Sequence, residues 1–216
     1  MKVLRYTLRP DGPTERRLLP ILDWLLGQHL PDVEIRPQFA DLGQLPQGPP
    51  KGLAEKIRLS LQLFPCDVLF VHRDAEKQAP KKRAEEIAEA MALIEAPPRH
   101  IPVVPVRMSE AWLLIDENAI RCAAGNPNGR TELKLPAVKS IEREPDPKAT
   151  LEQLLREACE LKGRRRENFN VQQAKYQVAA EIDDFSLLRL LPAFQQLERD
   201  IESFAAEWYQ TVAEQE

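Results

Sequence analysis

Three groups of acidic residues in this 216-residue chain stand where short apolar runs end. The first is Asp11-Gly12-Pro13-Thr14-Glu15. The second is His72-Arg73-Asp74-Ala75-Glu76, directly after Val68-Leu69-Phe70-Val71. The third is Glu110, with Asp116 two turns on, in Ser109-Glu110-Ala111-Trp112-Leu113-Leu114-Ile115-Asp116. Carboxylates brought together without a partner repel and raise one another's pKa. A divalent cation resolves the conflict, and Mg²⁺ favours a few carboxylates together with water and phosphate oxygens. The chemistry such a group serves is phosphoryl transfer, in which the cation neutralises the phosphate and activates water. Each group also has an ordinary explanation. Asp11 or Gly12 could cap a helix with Pro13 at its first position, and Glu15 would favour the helix dipole. Asp74 and Glu76 could cap the next helix, and Glu110 could belong to a first turn.

The case for convergence rests on the elements around these residues. Val3 to Leu8 reads as a strand, and Thr14 to Gln28 carries a helical stripe of Leu18, Leu19, Leu22, Leu25 and Leu26. Val33 to Phe39 is a second strand, and the Pro- and Gly-rich stretch 41–52 is a loop. Leu53 to Phe64 is a helix, Val68 to Val71 a fully apolar central strand, Arg83 to Ile94 a helix, and Ile101 to Val106 a strand. This alternation predicts an α/β fold, an open and mostly parallel sheet flanked by helices. Ligands in such sheets collect at the carboxyl ends of the strands, where all three acidic groups fall.

Residues 1–124 form the expected α/β domain, and the polar stretch 125–147 a linker or surface loop. Residues 148–216 are an all-helical extension packed on the same domain. In it Thr150 with Gln153 fits a capping box ahead of Leu151, Leu154, Leu155 and Ala158. Helices are expected at 171–182, 186–191 and 193–209.

Composition removes several classes of function. Cys66, Cys122 and Cys159 are scattered and outside any CxxC spacing, against a disulfide framework or a structural zinc site. No apolar run approaches the roughly 18 residues of a membrane helix, and residues 1–6 lack a signal-peptide core, so a soluble, cytoplasmic protein is expected. Thirty basic against 34 acidic residues give a net charge of −4. That disfavours general coating of nucleic acid but is no evidence against a metal-dependent site. The densest basic run, Arg164-Arg165-Arg166, could grip phosphates, or simply be solvated beside Glu160 and Glu167. The chain has no GxxxxGK[ST], HExxH, GxSxG or GxGxxG. His72-Arg73-Asp74 spells a kinase tripeptide, but position 79 is Ala79 where that motif needs Asn.

Asp11-Gly12-Pro13-Thr14-Glu15 resembles the E-G-x-x-(D/E) motif of Toprim domains, and His72-Arg73-Asp74-Ala75-Glu76 resembles their D-x-D motif. Glu110 to Asp116, Asp146-Pro147-Lys148 and Ala174-Lys175-Tyr176 further resemble a bacterial group of Toprim-like proteins (domain of unknown function 4276). The resemblance covers most of the chain through short motifs. It implies a Mg²⁺- or Mn²⁺-dependent nuclease, related to those that partner ABC-type ATPases in phage defence. Asp11, Asp74 and Glu76 would hold metal, Glu15 and Glu110 would complete the site, and Lys148 and Lys175 would approach it where the helical extension folds over it. There are two departures. Asp11 stands where glutamate is usual, and the D-x-D reads either as His72-x-Asp74, with imidazole a poor Mg²⁺ ligand, or as Asp74-x-Glu76. These departures motivate the alternative of a non-catalytic Toprim-like interaction module.

Overall fold

The structure is a computed structural model and is described for residues 2–213. Four strands form one all-parallel sheet in the order β2-β1-β3-β4: β1 Lys2–Arg9, β2 Val33–Phe39, β3 Val68–His72 and β4 Arg99–Val103. Helix α1 (Leu18–His29) links β1 to β2, α2 (Leu53–Leu63) links β2 to β3, and α3 (Pro80–Met91) links β3 to β4. The chain runs from β1 outward to β2, then returns to lay β3 on the other side of β1. The crevice at the carboxyl ends of β1 and β3 is therefore the topological switch point.

Alternation along the strands divides the interior. Leu4, Tyr6 and Leu8 of β1 and Val68 and Phe70 of β3 face one core with α1, and Tyr6 meets Phe70 edge-on at 5.3 Å between ring centroids. Leu69 and Val71 face the other way, onto Ile57 of α2 and Ile87 and Met91 of α3. Five consecutive buried residues in β3 reflect a strand covered on both faces.

The second half of the chain adds to the first core. Helices α4 (Glu117–Ala123), α5 (Pro147–Ala158), α7 (Val171–Glu181) and α8 (Pro192–Ala213) all contribute side chains to it; the four-residue α6 (Arg164–Glu167) stays exposed. The polar stretch 125–147 is anchored as well, because Leu133 and Ile141 enter the same core. None of the helices among the described residues is long and apolar enough to cross a membrane.

Two local expectations are revised. The first helix is split into a 3₁₀ turn, Pro13–Arg17, followed by α1. Pro20 lacks the N–H that would tie a continuous helix back to Arg16. The start of α5 is capped by Asp146, whose Oδ1 accepts from Ala149 N at 2.9 Å, ahead of Pro147 at the first helical position. Thr150 is already inside that helix and donates instead to Glu144.

Glu160 shows how the 125–136 region is held. Its carboxylate accepts the backbone N–H groups of Arg130 at 2.5 Å and Thr131 at 2.6 Å. These bonds pull its pKa from the ordinary 4.5 down to about 2. A depressed carboxyl stabilises the fold fully above its unfolded pKa, so this contribution fades only as pH falls from about 4.5 toward 2. In an NMR titration the Arg130 and Thr131 amide shifts are expected to move together with a midpoint near 2, and not to move in Glu160→Gln. A midpoint near 4.5 would contradict the bonding.

Candidate metal centre

Ladder contacts continue past β3 and bring the acidic groups together. Beyond His72, Arg73 N donates to Val103 O, Ala75 N to Pro105 O and Glu76 N to Arg107 O, so the loops after β3 and β4 run side by side. Both Glu76 (φ 53°) and Arg107 (φ 62°) take left-handed backbone conformations, which turn these loops at the sheet's carboxyl edge. Ser109 then lies against Asp74, its N–H donating to Asp74 Oδ1 at 3.0 Å. From β1, the 3₁₀ turn Pro13–Arg17 carries Glu15 to the same place, where Ser109 Oγ donates to Glu15 Oε2 in a short hydrogen bond of 2.5 Å.

At the centre stands His72, fully buried at the end of β3. Its Nε2 lies 3.1 Å from Asp74 Oδ1 and 3.8 Å from Glu15 Oε2. One ligand atom from each of Glu15, His72 and Asp74 falls within 4.8 Å of the other two. This donor set fits a divalent cation: an imidazole nitrogen and two carboxylates converging from β1 and β3.

Arg17 is the internal counter-ion. It is 5% exposed, lies 3.0 Å from Glu15 and 3.0 Å from Glu110, and links the first acidic group to the third. Burial alone would raise the Glu15 carboxyl. The His72 ring, the Arg17 guanidinium and the Ser109 hydroxyl outweigh it, so Glu15 sits below the ordinary carboxylate range. Burial would lower Arg17, but Glu15, Glu110 and Asp74 hold it above its ordinary value. Three carboxylates thus face one guanidinium in a largely buried space. That excess negative charge is what a bound cation would offset.

Of the residues expected at a site, the structure brings together Glu15, Asp74 and Glu110. Asp11 and Glu76 lie outside this cluster. Asp11 is paired with Arg73 at 3.0 Å and Arg9 at 3.5 Å. Glu76 is turned out by its left-handed backbone and paired with Arg83 at 3.3 Å. Of the two pairings the sequence left open, His72 with Asp74 is the one found in the cluster, and Glu76 is not part of it. Asp116 is a helix cap, accepting from Ala119 N.

Among the described residues the basic candidates form no hydrogen bond or ion pair with Glu15, His72 or Asp74. Arg164, Arg165 and Arg166 form the exposed α6, and Lys148 is exposed on α5. Lys175 is 4% exposed and donates to Glu152 at 2.7 Å, which lowers the Glu152 pKa, so its charge is already neutralised. Helix α7 itself packs on the Pro13–Arg17 turn.

Arg17 and Ser109 are not among the residues the sequence singled out, and His72 entered only through one of two readings of the second motif, as a poor Mg²⁺ ligand. Arg17 had a signal, a basic residue two positions after Glu15. Ser109 had only its adjacency to Glu110. A cavity of about 590 Å³ lies elsewhere, between α3, β4 and α8, with apolar walls such as Pro102, Val104 and Leu197. None of Glu15, His72 and Asp74 lines it, so its size does not bear on the chemistry.

No family model, curated protein or solved structure matches the chain. The Toprim-like resemblance therefore stands on the motifs alone.

Proposed function

We propose that the protein is a Toprim-like, divalent-metal-dependent nuclease subunit acting in the cytoplasm, with Glu15, His72 and Asp74 as its metal-holding residues. The observation that carries this reading is the buried His72 Nε2 set between two carboxylates from neighbouring strand ends, at a switch-point crevice. When bound, the cation supplies neutralisation of a phosphodiester's charge and a lowered pKa for water. The remaining groups hold this arrangement. Ser109 fixes Glu15 through its hydroxyl and Asp74 through its N–H, and Arg17 ties Glu15 to Glu110. Because one donor is imidazole, the site favours Mn²⁺ over Mg²⁺.

A second reading, a non-catalytic interaction module, is favoured by one observation: Arg17 already compensates Glu15 and Glu110. Calorimetry and plasmid cleavage separate the two. The nuclease reading expects Mn²⁺ to bind more tightly than Mg²⁺. It also expects Asp74→Asn to weaken Mn²⁺ binding by about tenfold or more and to abolish cleavage. Cleavage is measured with the protein alone and with any ABC-type ATPase encoded beside it. Absence of Mn²⁺ binding at millimolar concentration would support the module. Cleavage that survives Asp74→Asn would remove the assignment of the site.

A further inference from the structure

Beside the cluster, two arginines share one carboxylate. Arg9, the last residue of β1, is 3% exposed; its Nη1 donates to Pro10 O and lies 3.5 Å from Asp11 Oδ1, while its Nε has no hydrogen-bond partner. Arg73, between His72 and Asp74, places its Nε 3.0 Å from Asp11 Oδ2, close enough for an ion pair but without the alignment of a hydrogen bond. Its Nη1 lies 3.4 Å from Glu86. The Asp11 carboxylate that holds both is itself 39% exposed. A cavity of about 100 Å³ adjoins the Arg9 and Asp11 end of this group, lined by Arg9, Asp11, Gly12, Asp41 and Lys56 but not by Arg73.

A buried guanidinium with an unused donor is costly to keep unless something completes it. Burial lowers the Arg9 pKa, Asp11 opposes this, and Arg73 lowers it further by like charge. Two cations kept that close at a strand-end crevice suit an oxyanion. Guanidinium forks match a phosphate's oxygens in geometry as well as in charge. Asp11 offers two of the oxygens such a group would bring, and its exposure leaves it free to swing out.

We infer that Arg9 and Arg73 form a phosphate-group subsite that the Asp11 carboxylate plugs in this structure, with Lys56 lining the adjoining cavity. The inference deepens the nuclease reading, on which it rests for its substrate, but its binding step needs no metal. An incoming phosphate displaces Asp11, so binding of the anion and release of Asp11 are one event. Asp11 is then a gate, and its place outside the metal cluster follows from its hold on the arginines.

The test is binding of inorganic phosphate and of a short single-stranded oligodeoxynucleotide in EDTA, followed by calorimetry and thermal shift. Both probes are expected to bind. Arg73→Gln, at a partly exposed position, is expected to weaken phosphate binding by about tenfold. Asp11→Asn, which keeps the side chain's shape and removes its charge, is expected to tighten binding by a similar factor. Arg9→Gln is a third variant, used where circular dichroism shows it folded. Binding seen only in Asp11→Asn also supports a plugged subsite. Phosphate affinity that is absent in both the wild type and Asp11→Asn, or unmoved by Arg73→Gln and Asp11→Asn, overturns it. Phosphate without oligonucleotide binding confines the subsite to free phosphate groups and overturns its link to nucleic acid. Since EDTA removes the metal, failure here leaves Mn²⁺ binding and cleavage untouched, and failure of those leaves this result standing.

Discussion

Arg17→Met is expected to lower stability in EDTA by about 3–5 kcal/mol, the loss that follows when one partner of a buried ion pair is removed. Among the described residues Arg17 is the one guanidinium paired with both Glu15 and Glu110, each at 3.0 Å, and all three are buried. Methionine fills much of the space but leaves two carboxylates uncompensated. Chemical denaturation in EDTA measures the loss. Repeating it with Mn²⁺ tests the charge argument. A ligand that binds only the folded state adds about 2.7 kcal/mol at a hundred times its Kd. The variant should gain more from Mn²⁺ than the wild type does, because the cation then takes over Arg17's role. If the variant is unfolded in EDTA, Mn²⁺ should restore its fold. An equal Mn²⁺ response in the two proteins would show that the cation and Arg17 do not share the same carboxylates. Adding Glu110→Gln to Arg17→Met should recover part of the loss, since one of the stranded charges is then gone.

The second large effect lies beneath the site. Trp112 is fully buried on the 3₁₀ turn Ser109–Leu113 and meets Phe194 of α8 edge-on, with ring centroids 5.5 Å apart. Trp112→Ala is expected to cost about 3–5 kcal/mol, the range for deleting a large buried aromatic side chain. It should also weaken Mn²⁺ binding, because the same turn carries Ser109 against Glu15 and Asp74. Trp112→Phe is the informative control. The indole Nε1 has no hydrogen-bond partner, so phenylalanine loses ring volume but removes a buried, unsatisfied donor. It should fall well short of the alanine loss in urea unfolding and keep Mn²⁺ affinity. A Trp112→Ala protein with wild-type metal binding would mean that the turn is held by other contacts.

The two variants separate the site's charge from its support. Arg17 acts on Glu15 and Glu110 directly, whereas Trp112 acts by fixing the turn that delivers Ser109 and Glu110. Both routes pass through contacts between parts of the chain far apart in sequence. Helix α8 lies more than seventy residues beyond the turn it supports.

The parallel sheet and its flanking helices were legible from periodicity. Leu4, Tyr6 and Leu8 alternate inward, and the uninterrupted Val68 to Val71 announces a strand covered on both faces. The carboxyl edge of that sheet was legible too, since each acidic group follows an apolar run. Residue types there point to a cation and phosphate chemistry without stating which members meet.

Selection among them belongs to the tertiary structure. Asp11 and Glu15 are four residues apart, yet one pairs with Arg9 and Arg73 and the other is buried against His72. Asp74 and Glu76 are two apart, and the left-handed backbone at Glu76 sends them to different partners. Spacing along a chain fixes which side chains share a helix face or a strand face. It does not fix how irregular turns after different strands approach one another. That approach depends on the ladder running past His72, on the split before α1 and on Trp112 seated against a distant helix. Those contacts chose Glu15, His72 and Asp74 from the candidates the sequence supplied.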